Sequence, residues 1–114
     1  MEARTRQFAL RVMKLIDALP NTIKGRVLAD QLLRSATSIA ANYRASSRAR
    51  SRAEFISKIS TCLEEADEAW FWLDLIQADG LLPASRLTGL LPEAEELVKI
   101  LAATRSTALK NRNS

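Results

Sequence analysis

The sequence predicts an all-α fold, an antiparallel up-down four-helix bundle, and three observations predict it. Apolar residues recur every three or four positions along most of the chain, the spacing that gathers them on one face of a helix. Three groups of helix breakers cut this pattern into helix-sized segments: Leu19-Pro20-Asn21-Thr22, Ser46-Ser47-Arg48-Ala49-Arg50-Ser51, and Asp79-Gly80-Leu81-Leu82-Pro83. No run alternates with period two, and the β-branched residues are scattered, so strand signals are weak. Helices of about twenty residues joined by short connections pack as antiparallel neighbours.

The first segment carries Phe8, Val12, Leu15 and Leu19 and stops at Pro20, because proline disfavours helical backbone in the residue before it. The second carries Leu28, Leu32, Ala36, Ile39 and Tyr43. The third starts at Ser51, where Glu54 three residues on completes a capping box. It carries Ile56, Ile59, Leu63, Ala66, Trp70 and Leu73, and Gly80 suits a left-handed helix stop. A single rod through the second and third segments would run to roughly 80 Å, more than a chain of 114 residues can cover. A reversal is therefore predicted near residues 46 to 50. The fourth segment carries Leu90, Ala94, Leu97, Leu101 and Ala108, with Pro92 inside its pattern. Proline removes a backbone donor, so a kink is expected there; a short turn from Ala84 to Gly89 ahead of the main helix is the alternative.

The whole of 1–114 reads as one domain, 47% hydrophobic with three Gly and three Pro, a composition suited to a packed core. The single cysteine, Cys62, cannot form an internal disulfide, which fits a reducing, cytoplasmic setting. No uncharged run approaches the roughly eighteen residues a membrane crossing needs, so no membrane partner is expected. Lys14 and Asp17 interrupt the apolar start, which reads as the first bundle helix and not as a signal peptide.

Catalytic chemistry has little to work with. There is no histidine, which removes the commonest general base and the Glu-x-x-His ligands of di-iron bundles. One cysteine without histidine makes no structural zinc site, and the three glycines stand apart, so there is no phosphate-cradling loop. Glu64, Glu65, Asp67 and Glu68 form a carboxylate cluster, with 64 and 68 one helical turn apart. A carboxylate-only metal site is the chemical reading; solvated charges, or partners for arginines such as Arg34, is the plainer and preferred one. Cys62 lies on an apolar arc and reads as core. No enzyme, metal or cofactor is expected.

Charge is divided along the chain. Residues 1 to 58 hold twelve Lys/Arg against four Asp/Glu, a net of +8, and residues 59 to 114 hold five against nine, a net of −4. Such a division points to a polyanion partner or to contact between copies. Arg44, Arg48, Arg50, Arg52 and Lys58 gather at the predicted reversal with Tyr43 beside them. Arginines there suit phosphates and Tyr43 suits a stacked base. Pairing with the acidic surface of a neighbouring copy, or a merely solvated basic end, remain open. The third segment also has a second apolar row, Phe55, Cys62, Ala69, Trp72 and Ile76. A wide arc implies a second buried surface, so Phe55, Trp72 and Ile76 are expected at a boundary between copies. The small residues from Ser35 to Ala41 allow a neighbouring helix to approach closely.

The stretch RSATSIAANYRASSRARSRAEFISKI, followed by EEADEAWFWLDLI, resembles the four-helix bundle family encoded in intervening sequences of large-subunit ribosomal RNA genes. It is also similar to the accessory variability protein of diversity-generating retroelements. The resemblance runs from about Phe8 to Lys110 and is strongest at Arg34-Ser35, Ser38, Asn42-Tyr43-Arg44, Arg48 to Arg52, Glu54-Phe55, Glu64 to Glu68 and Trp72-Leu73. It implies a homopentameric ring that binds RNA or DNA through basic surface, with a reverse transcriptase as a possible companion. It further implies that Arg44, Arg48, Arg50 and Arg52 touch the polyanion, that Asn42 braces the end of the second helix, and that Glu65 and Glu68 pair structurally with arginine. Where many members read Asn-Ile-Ala-Glu-Gly, this chain has Asn42-Tyr43-Arg44-Ala45-Ser46, so the corner lacks the family's glycine. The expected function is a non-catalytic nucleic-acid-binding accessory; the rival is a protein scaffold that docks a reverse transcriptase without touching nucleic acid.

Overall fold

A computed structural model describes residues 1–112; residues 113 and 114 of the expected domain lie outside the described part. Four helices, α1 (Glu2–Ile16), α2 (Ile23–Ser46), α3 (Arg52–Ala78) and α4 (Leu90–Arg112), follow one another with a single 3₁₀ turn, Ala84–Arg86, before the last. The bundle measures 50 × 22 × 19 Å. Each helix packs on the next in sequence, and α1 touches α4 only lightly. Cross-helix pairs fix the antiparallel sense. Lys24 at the start of α2 meets Asp79 just past α3 at 2.7 Å, while Arg34 further along α2 meets Glu65 and Glu68 further back in α3.

Local chemistry sets the helix ends. The Thr22 hydroxyl accepts from the Gly25 N–H at 3.1 Å, and the Ser51 hydroxyl accepts from the Glu54 N–H at 3.0 Å; both satisfy donors that a helix start leaves unpaired. The Glu54 carboxylate accepts from the Arg50 N–H at 3.3 Å, one residue ahead of the reciprocal bond of a standard capping box. Gly80 stops α3 at φ +67, where Leu81 N–H reaches Ile76 O at 3.1 Å, the bond of a Schellman stop. Gly25 is required for a different reason. A Cβ there would overlap the Pro20 carbonyl oxygen, so the α1–α2 turn closes only over a bare backbone.

Pro92 does not kink α4. The helix begins at Leu90, so Pro92 falls in its first turn, where one of the N–H groups without an intrahelical partner is the one proline lacks. The alternative reading, a short turn between Ala84 and Gly89, is what forms.

The core runs the length of the bundle: Phe8, Val12, Leu32, Ile39, Ile59, Leu73, Leu97 and Leu101 are 0–1% exposed. The second apolar row of α3 belongs to this same core. Cys62, Ala69 and Ile76 are 0% exposed, because α3 is flanked by both α2 and α4. Ile76 thus has no surface to offer a second copy, which corrects its placement at a boundary. Phe55 and Trp72 are partly buried against the core. The exposed aromatic is Phe71, 53% exposed, its ring 5.2 Å from that of Trp72.

Two consequences follow from this packing. The Cys62 thiol lies 3.6 Å from the Ile39 carbonyl, and burial pushes its pKa up to about 12. A thiolate is disfavoured inside, so this contribution to stability is fully present below the unfolded value of about 8.5 and is lost as pH rises towards 12. At pH 8 a thiol reagent should modify Cys62 only as fast as the bundle opens; rapid labelling of the native protein would contradict the burial. In the seam between α1 and α4, Arg4 grips Glu93 with two hydrogen bonds of 2.7 and 2.8 Å. The Arg4 bond holds the Glu93 carboxyl below its usual range. A depressed carboxyl stabilises above the unfolded pKa of about 4.3 and loses that contribution as pH falls through the folded value. Glu93→Gln should therefore melt slightly below wild type at pH 7, and the gap should close as the pH falls below the unfolded value of about 4.3 and through the lower folded one.

Candidate nucleic-acid interface

The α2–α3 reversal builds a basic concavity. Ala41 and Ala45, on successive turns of α2, supply a small-residue floor, and Arg44, Arg48, Arg50, Glu54 and Lys58 complete the wall around about 460 Å³. Four cations thus face one carboxylate. Glu54 is engaged by the Arg50 backbone N–H, not by a guanidinium. Among the described residues, the ion pairs lie elsewhere, at Arg4, Lys24, Arg34 and Lys99. The side chains of Arg44, Arg48 and Arg50 are exposed, so like charges are held together with no acceptor of their own. That arrangement suits a run of phosphate oxygens.

The other sequence candidates are distributed differently. Arg52 sits across Ser51 from Arg50 and lines a separate groove between α3 and α4, with Phe55, Ile100, Ala103, Thr104, Thr107, Ala108 and Asn111 around about 760 Å³. Tyr43 is partly buried against the core, and burial raises its phenol pKa; its ring packs inward and does not line the concavity. The Asn42 amide donates to the Ser38 carbonyl at 2.9 Å and hydroxyl at 3.1 Å, bracing α2 one turn back from its end. The Arg34 guanidinium forks onto Glu68 at 2.9 Å and Glu65 at 3.3 Å, tying α2 to α3. Glu64 and Asp67 point to solvent. The four carboxylates therefore do not converge, and among the described residues no group of three His, Cys, Asp or Glu is placed to hold a metal ion.

The molecule defined by these features is an all-helical bundle with a pool of unpaired cations at one end. The chain belongs to the 23S rRNA-intervening sequence protein family, whose model matches residues 2–103. Its fold is similar to the crystal structure of a protein of unknown function from the S23 ribosomal protein family of Bacteroides thetaiotaomicron. The two are 34% identical, with 91% of this chain and 96% of that one aligned at a TM-score of 0.83. No curated protein matches. Among the described residues, no helix is long and apolar enough to cross a membrane.

Two features escaped sequence reasoning. Phe71 reads as one more apolar residue of α3, although its position outside both apolar rows was the available signal. The α3–α4 groove joins residues about fifty positions apart, and no local pattern announces it.

Proposed function

We propose that this chain is a non-catalytic, cytoplasmic accessory protein that binds nucleic acid through Arg44, Arg48, Arg50 and Lys58 and assembles as a homopentameric ring. The observation that carries the reading is the convergence of these four cations on one concavity without ion pairs. The family's connection with 23S ribosomal RNA makes structured RNA the first ligand to test. Repetition of the concavity around a ring multiplies weak phosphate contacts along one polyanion. The pair Phe71 and Trp72, one exposed and one partly buried, is an aromatic surface suited to contact between copies.

The same pair favours a second reading, in which the bundle is a scaffold that docks an enzyme such as a reverse transcriptase. A labelled structured RNA and a matched DNA duplex titrated across salt separate the two. Steeply salt-dependent binding, lost in the Arg44/Arg48/Lys58→Ala variant, supports the nucleic-acid reading. No binding at near-physiological salt sinks it and leaves the scaffold. For assembly, light scattering should give a mass near five chains; a mass near one chain refutes the ring.

A further inference from the structure

We infer that the groove between the start of α3 and the end of α4 is a slot for an unpaired nucleobase, taken from a strand whose phosphates lie on the basic concavity. This deepens the nucleic-acid reading above and rests on it.

The slot joins the three parts that single-strand recognition requires. The first is a stacking face. Phe55 lines the groove and is only partly buried, so its ring is in part uncovered. The second is a cation at the mouth. Arg52 is exposed and has no hydrogen-bond or ion-pair partner among the described residues. The third is a wall that combines apolar and polar groups. Ile100 and Ala103 give apolar contact, and Thr104 and Thr107 present hydroxyls. The Thr104 hydroxyl donates its proton to the Ile100 carbonyl at 2.9 Å, which leaves its lone pairs as acceptors for a base amino group. The volume of about 760 Å³ lies in the range of small-molecule sites.

Position identifies the occupant. Arg50 lines the concavity and Arg52 lines the slot, with only Ser51 between them. A strand whose phosphates follow Arg44, Arg48 and Arg50 at the α2–α3 reversal therefore meets Arg52 next, at the α3 end of the slot. A duplex can use the concavity but not the slot, because its bases are stacked and paired. The predicted preference is for loops, bulges and single strands.

The test compares a fluorescently labelled single-stranded oligonucleotide with its matched duplex, across salt, for wild type, Phe55→Ala, Phe55→Trp and Thr107→Leu. Phe55→Ala should weaken the single strand roughly 5- to 150-fold, leave its salt slope unchanged and leave the duplex unchanged. Phe55→Trp should retain binding. Thr107→Leu narrows the slot from an exposed rim position, so it tests the same site without disturbing the core, and it should also weaken the single strand selectively. Equal affinity of strand and duplex in wild type, with all three variants unchanged, overturns the slot while leaving the concavity intact. Absence of binding by either ligand overturns both readings. A change in solution mass caused by Phe55→Ala assigns the groove to a second copy and overturns the slot.

Discussion

Changing Arg44, Arg48 and Lys58 together to alanine should flatten the salt dependence of nucleic-acid binding by about two to three units of log–log slope. Each neutralised phosphate contributes about 0.9 units on a duplex and about 0.7 on a single strand through counterion release. Three lost contacts also mean that the variant should be roughly 40-fold less sensitive to a fourfold rise in salt. The fold should survive. All three side chains line an open concavity at the bundle end, and surface substitutions of this kind usually shift stability by about 0.5 kcal/mol or less. Arg34→Ala is the control for charge removed outside the concavity, one positive charge against the three of the triple variant. Arg34 is committed to Glu65 and Glu68 across α2 and α3. Its loss should lower the melting temperature and leave the salt slope nearly untouched. If each charge removed costs the same slope in the two variants, net charge and not the concavity governs binding, and the site assignment fails.

Leu73→Ala should cost about 2–5 kcal/mol. Leu73 is 0% exposed and belongs to the core that all four helices share. Truncation removes the transfer free energy of the lost carbons and leaves a cavity that close-packed neighbours cannot fully collapse into. For a chain of this size the melting temperature should fall by roughly 10–20 °C, measurable by circular dichroism. Phe71→Ala, two positions away but 53% exposed, should change it by a few degrees at most. A large loss from Phe71→Ala with none from Leu73→Ala would reverse the orientation of α3.

How much of this was legible in advance depends on the range of the interaction. The α2–α3 reversal, the Ser51 start and the Gly80 stop were readable because caps and left-handed stops act within four or five residues. Pro92 misled because the same residue breaks a helix interior and favours a helix start, and only the position of Leu90 distinguishes the two. Ile76 misled because an apolar row on one helix does not say whether its partner is another helix of the same chain or a second copy. The basic concavity was half legible. Arg44, Arg48, Arg50 and Lys58 do share a face, but Arg52 turns to the α3–α4 groove, since α3 has begun by then and adds about 100° per residue. Tyr43 turns inward because its position on α2 faces the core.

The sequence alone therefore determined the four helices, the Ser51 start and Gly80 stop of α3, the bundle class and the family, since each rests on periodicity, local hydrogen bonding or a contiguous motif. Tertiary structure decided which arginines line one concavity, that Glu65 and Glu68 are held by Arg34, and that Phe55 and Arg52 share a groove with α4. These depend on how helices distant in sequence are rotated against one another, and burial of the whole core sets that rotation where no single segment can.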